Sequence, residues 1–116
     1  MDSILISIKK LLGLAADYDA FDQDVIININ SAFFTLWQLG VGPTEQPFTI
    51  EDESTTWDSF VEFGLVEMCK MLVYYIVRLG FDPPSSSFQV NMINEKIQEY
   101  EWRLTVAMDE YNSPEG

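Results

Sequence analysis

Residues 65–79, LVEMCKMLVYYIVRL, are apolar at every position except Glu67, Lys70 and Arg78. In a helix these three charged residues fall on one narrow wedge, so the pattern predicts a helix that is apolar almost all round. We expect such a helix to lie at the centre of the domain or to be shared with a partner. It must end before Pro83 and Pro84, because proline lacks the backbone N–H and restricts the residue that precedes it.

Three further helices are predicted around this segment. Apolar residues recur at helical spacing near residues 3–12, 22–39 and 87–108, and Gly and Pro residues separate these stretches. The opposite face of the second helix is polar and carries Asp24, Asn28, Ser31, Thr35 and Gln38. We therefore expect a mainly α protein, a small four-helix bundle-like domain that spans residues 1–108.

The remaining segments are predicted to lack regular structure. The long connection at 41–64 is expected to be irregular, with at most a short strand pair near Phe48. Trp57 and Phe60 are expected to fill the core from this connection. Residues 109–116 contain Asn, Ser, Pro and Gly and are expected to form a flexible C-terminal tail, since Pro114 bars a helix beyond it.

Composition excludes several classes of function. The 116 residues include 19 acids and 6 bases, a net charge of −13, and no histidine. So few cations cannot neutralise a nucleic-acid backbone or bind an anionic membrane surface. The lack of histidine removes the commonest general base and most zinc sites. The single Cys69 cannot form an intrachain disulfide, and no apolar run reaches 18 residues, so we expect a soluble intracellular or virion protein.

Two acidic clusters are candidate metal or acid–base sites. Residues 17–24 hold four aspartates, but Phe21 and Asp22 stand where a calcium loop needs an oxygen ligand and a glycine. Stabilisation of a helix N-terminus is the favoured interpretation of this cluster. Residues 51–58 hold a second cluster, interpreted as a solvated loop rather than a magnesium site. We assign no catalytic residue, metal or cofactor, and we expect Cys69 to be a buried core thiol.

Lys9 and Lys10 are adjacent cations near the end of the first predicted helix. Two neighbouring lysines can bind phosphate, but they can equally form a solvated helix face. The solvated face is the favoured interpretation.

The fourth predicted helix carries two apolar stripes. The first is expected to pack on the core and contains Val90, Ile93, Ile97, Tyr100, Leu104 and Met108. The second lies on the opposite side and contains Phe88, Met92, Trp102 and Val106. Scattered apolar residues are common on protein surfaces. A stripe that includes tryptophan and methionine is more typical of a subunit interface, so we predict an oligomer interface at these four residues.

The order of these features resembles the small head–tail connector proteins, also called adaptor or head-completion proteins, of tailed phages and prophages of Gram-positive bacteria. The resemblance rests on MDSIL (1–5), SIKKLLG (7–13), FD (21–22) leading into VI (25–26), QLGVGP (38–43), FTIED (48–52), TW (56–57), VRLGFDPPS (77–85) and EWRL (101–104). Together these segments cover most of the chain. Gly80 departs from the pattern, which favours a larger apolar residue there.

The resemblance implies a structural virion protein without enzymatic activity. Such proteins form a ring beneath the portal, which follows its twelve-fold symmetry, extends the DNA channel and docks the stopper or tail. DNA passes through without specific binding. The implied location is the head–tail interface of the virion, with host cytoplasm during assembly. The resemblance also suggests that the C-terminal tail, including Asp109, Glu110 and Tyr111, binds the portal.

Two other classes of function remain open from the sequence. An acidic DNA mimic could bind a basic nucleic-acid-binding host protein, although it would need carboxylates regularly spaced on one exposed face. A metal-dependent enzyme could use the same acidic clusters.

Overall fold

The computed structural model describes the backbone of residues 2–111, together with the side chains of residues 2–62 and 64–109. It contains four α-helices: α1 (Ile4–Leu12), α2 (Asp22–Gln38), α3 (Phe63–Phe81) and α4 (Ser87–Tyr111). A single 3-10 turn lies at Trp57–Ser59, and no β-strand occurs within residues 2–111. The predicted mainly helical, bundle-like architecture is therefore confirmed.

The central position belongs to α3, as its nearly continuous apolar surface predicted. It packs against α1, α2, the 3-10 turn and α4. Its buried side chains are Val66, Cys69, Leu72, Val73 and Val77. The helix is longer than predicted by two residues at each end, because Gly64 is accommodated inside the first turn and the chain stays helical up to the residue before Asp82.

The first two helices begin and end close to their predicted limits. Ser3 precedes α1, and its hydroxyl accepts a hydrogen bond from the N–H of Ile6 at 3.2 Å. Gly13 ends α1 in the left-handed region, at φ 85°, where glycine is favoured. Near the end of α3, a side chain at Gly80 would overlap the Asn28 amide oxygen of α2. The close packing of α2 on α3 explains why a small residue stands at position 80.

The connection between α2 and α3 is irregular, and side-chain hydrogen bonds hold it against α2 and α1. The Asn30 side chain donates to the carbonyl of Ile50 at 3.0 Å and accepts from its N–H at 2.8 Å. This side chain thus supplies both hydrogen bonds that a neighbouring strand would otherwise give. Trp57 and Phe60 are buried against Phe33, as predicted, and the Trp57 indole N–H donates to the Ser7 hydroxyl at 2.8 Å.

Lys9 corrects the sequence interpretation, because it does not lie on a solvated helix face. Its side chain is only 1% exposed. The ammonium group is 2.8 Å from an Asp22 carboxylate oxygen and donates to the carbonyl of Ala16 at 3.1 Å. Lys9 therefore ties the end of α1 to the linker and to the first residue of α2. Lys10 is exposed, as predicted.

The fourth helix packs against α3 through its predicted core stripe. Leu104 is fully buried, and Ile97, Tyr100 and Met108 lie partly buried against the core. The helix begins at Ser87, with the Ser86 hydroxyl accepting from the Gln89 N–H at 3.4 Å. It continues to Tyr111, three residues beyond the predicted limit. Of the predicted tail, residues 109–111 are helical, and residues 112–116 lie outside the described residues.

Removal of the Lys9 counter-charge should destabilise the fold. We expect Asp22→Asn to lower the free energy of unfolding by about 3 kcal/mol, because a buried ammonium group loses its partner. The matched control is Asp24→Asn, which removes an exposed carboxylate from the same helical turn and therefore subtracts the effect of the helix dipole. Urea denaturation measures both.

Combining Asp22→Asn with Lys9→Met should recover most of this loss, since an apolar side chain of similar length can occupy the buried position. Equal stability of the two single Asp→Asn variants would show that the ion pair contributes nothing specific.

Candidate assembly surface

The four predicted interface residues lie together on the outer side of α4. Phe88 is 71% exposed and Trp102 is 67% exposed, and Met92 and Val106 are also exposed. They project away from buried Leu104, which faces α3. We call these four residues the α4 outer face. Large aromatic side chains so exposed are costly to leave in water, and they are enriched where proteins contact one another.

Charged side chains border this face and partly neutralise one another. Glu99 is 3.4 Å from Arg103 and 3.9 Å from Lys96. The Arg103 guanidinium also lies 5.7 Å from the centre of the Tyr100 ring. Exposed ion pairs of this kind add little to stability. Their effect is local, because they reduce the negative charge around Trp102 in a strongly acidic protein.

A second apolar surface, which the sequence analysis missed, lies on the outer side of α2. Ile27 is 65% exposed, and Phe34 is also exposed. They are seven residues apart and therefore lie on the same side of the helix. Exposed Ser31 and Gln38 share this side. We call Ile27, Ser31, Phe34 and Gln38 the α2 outer face.

A signal for the α2 outer face was present in the sequence. No charged residue occurs from Val25 to Thr44, a long interval for a chain in which 22% of residues are charged. The predicted polar face of α2 correctly included Ser31 and Gln38, but the apolar residues at positions 27 and 34 were left out of it. The face is neutral and partly apolar rather than a charged, solvated surface.

The acidic clusters do not converge on a common point. Among the side chains of residues 2–62 and 64–109, no group of three or more Cys, Asp or Glu is arranged to hold a metal ion. Asp22 pairs with Lys9 rather than with the other aspartates. In the second cluster, hydrogen bonds from Ser54 lower the pKa of Asp52, and the Thr56 hydroxyl lowers the pKa of Asp58. Both carboxylates are exposed and capped by their own loop, as expected for a solvated loop.

A groove of about 570 Å³ lies between the start of α2 and the end of α3. It is lined by Leu14, Phe21, Asp24, Asn28, Gly80, Phe81 and Asp82. Its ionisable groups are the carboxylate of Asp24, in the first turn of α2, and the carboxylate of Asp82, just after the end of α3. The groove therefore gathers no nucleophile with an adjacent base.

Cys69 is inside the core and is not placed to act as a nucleophile. Burial raises the pKa of the Cys69 thiol to about 12, so the reactive thiolate is scarce at neutral pH. The prediction of a buried core thiol is confirmed.

The candidate portal-binding residues follow the α4 outer face along the chain. Asp109 is exposed near the end of α4, and the backbone of Glu110 and Tyr111 continues the helix. Their binding to a portal remains a prediction. No helix within residues 2–111 is long and apolar enough to cross a membrane.

These features define a class of protein. A small helical domain that presents two unpartnered apolar helix faces is suited to assembly with other chains. A family model of phage connector proteins matches residues 4–111. The chain therefore belongs to the phage connector family, in agreement with the resemblance noted in the sequence. No curated protein and no solved structure shows significant similarity to it.

Cys69 should react with thiol reagents only when the domain opens. At pH 8 we expect labelling in native buffer to be far slower than in urea, because the folded thiol is both buried and protonated.

The raised pKa of Cys69 should make the free energy of unfolding depend on pH. An unfolded thiol loses its proton near pH 9, whereas the folded thiol keeps it to about pH 12. Stability should therefore fall above pH 9, by about 1.4 kcal/mol per pH unit from this group alone. Comparison with Cys69→Ala by urea denaturation between pH 8 and pH 10.5 isolates the effect, since the tyrosines titrate in both proteins. Parallel pH profiles would contradict it.

Proposed function

We propose that this protein is a structural head–tail connector that assembles as a ring beneath the phage portal. The ring extends the DNA channel and offers a docking surface to the stopper or tail-completion protein. The observation that carries the proposal is the exposed α4 outer face, which includes Trp102, on a chain of the phage connector family. Family membership implies a structural role in the virion, and the protein needs no catalytic activity for it.

The net charge of −13 is consistent with a channel component. DNA must slide through the ring, and a wall rich in cations would retain it through its phosphates. Acidic subunits also repel one another in solution. We therefore expect assembly only at high salt, where exposed charges are screened, or on the portal, where binding supplies additional free energy.

The DNA-mimic alternative receives less support from the surface. A mimic needs regularly spaced carboxylates along one exposed face, whereas the α2 outer face has no carboxylate and the α4 outer face has Glu95 and Glu99 between apolar residues. Eight of the 19 acidic residues instead cluster in residues 17–24 and 51–58.

Truncation of Trp102 tests the ring directly. We expect Trp102→Ala to weaken subunit association by about thirtyfold at each contact, as the loss of a central aromatic residue typically does. Native mass measurement of the protein alone and mixed with portal from the same phage reports the assembly. The helical circular dichroism signal should be unchanged, because Trp102 is mostly exposed.

The matched control for Trp102→Ala is Gln98→Ala, an exposed residue of the same helix outside the α4 outer face. Unfolding of the Trp102→Ala monomer would place the residue in the core. Equal assembly of the two variants would show that the α4 outer face is not part of the interface.

The second test concerns the C-terminal segment. An aromatic anchor loses little conformational freedom when it binds, and the backbone of Tyr111 is already helical at the end of α4. We expect deletion of residues 110–116 to weaken portal binding, and deletion of residues 112–116 to show whether the anchor lies before or after Tyr111. Co-sedimentation with portal measures both. Unchanged binding and ring formation in both truncated proteins would show that this segment has no binding role.

A further inference from the structure

The two apolar faces belong to different flanks of the molecule. Both α2 and α4 pack against α3, which covers the inner side of each. On α2 the inner side includes buried Ile29 and Phe33, and on α4 it includes buried Leu104. The outer faces of the two helices are therefore separate surfaces, each available to a different neighbour.

Their charges differ in a way that favours contact between unlike faces. The four residues of the α2 outer face are uncharged, because no charged residue occurs from Val25 to Thr44, and exposed Asp24 lies one turn before Ile27 at the start of the helix. The α4 outer face carries carboxylates between its apolar residues, at Glu95 and at Glu99, and the charge of Glu99 is partly neutralised by Lys96 and Arg103. Contact between two α4 outer faces would bring these carboxylates of both copies together. Contact with an α2 outer face places them opposite serine and amide side chains instead.

Contact between two α2 outer faces would avoid this repulsion but would leave Trp102 and Phe88 exposed. Only the unlike pairing covers both apolar surfaces and places the Glu95 and Glu99 carboxylates against a face whose own residues are uncharged. An interface between unlike faces is also the kind that continues from subunit to subunit and closes as a ring, whereas an interface between like faces stops at a dimer.

From this geometry and charge pattern we infer that the α2 outer face of one subunit receives the α4 outer face of the next copy. This inference rests on the proposed ring and identifies the contact that forms it. The neutral stretch of α2 is the part of a strongly acidic subunit that a second acidic subunit approaches with least repulsion.

Thiol cross-linking tests the pairing. Ser31→Cys lies at the centre of the α2 outer face and Glu95→Cys at the centre of the α4 outer face, and both retain the large apolar residues. The native Cys69 is buried and does not compete. One variant is labelled with nitrogen-15, the two are mixed under assembly conditions, and a short bismaleimide is added. We expect mixed cross-links to exceed either like pair several-fold. Predominant Glu95→Cys pairs, or equal amounts of all pairs, would overturn the inference.

A charge substitution provides a second, independent test. Ser31→Glu places an acid in the neutral α2 outer face and should reduce assembly about tenfold or more, because the added carboxylate loses water without gaining a partner. Gln46→Glu is the matched control, since it adds the same charge in an exposed loop outside both faces. Native mass measurement, with and without portal, reports the assembly.

The outcomes separate the contact from the function. If the unmodified protein forms rings and Ser31→Glu forms them equally well, the inferred contact is wrong and the ring remains. If the unmodified protein never associates with itself, on the portal or at high salt, the proposed ring fails and the contact fails with it.

Discussion

Every side of α3 has to be covered, because its apolar residues surround the helix almost completely. Two helices, α1 and α2, cover one part of it, and Trp57 and Phe60 reach it from the connection between α2 and α3. The remaining side is covered by α4, whose main contact within the described helices is with α3. The architecture follows from this requirement, since α1, α2, the connection and α4 each cover a part of α3 that the others leave open. It also leaves α4 with only one covered side.

The sequence predicted the helices because Gly, Pro and apolar spacing act locally, within a few residues. It failed where a contact depends on distant parts of the chain. Lys9 was placed in solvent because lysine usually lies there, yet Asp22 and the Ala16 carbonyl give it partners inside the fold. Gly80 was likewise judged too small for its position, because the contact that requires glycine there is made by Asn28 on another helix. Neither partner can be identified from periodicity.

Of the two outer faces, the sequence analysis predicted one and missed the other. The α4 outer face was predicted because two apolar stripes on one helix cannot both face a single small core. The α2 outer face was missed because Ile27 and Phe34 adjoin buried Ile26 and Phe33, and neighbouring apolar residues look like one wide core face. The absence of charge over the following residues was the available signal. An uncharged interval of this length is informative only because the rest of the chain is strongly acidic.

The three tryptophans occupy three different environments, which gives the protein its own optical reporters. Trp57 is fully buried and hydrogen-bonded to Ser7, Trp37 is half-buried with its N–H 3.3 Å from the carbonyl of Thr44, and Trp102 is largely in water. Indole fluorescence shifts to shorter wavelength as water is removed from the ring. Emission from Trp57 therefore reports whether the monomer is folded, while emission from Trp102 responds to a neighbour that covers it. Spectroscopy without any added label can follow folding and subunit contact as separate events.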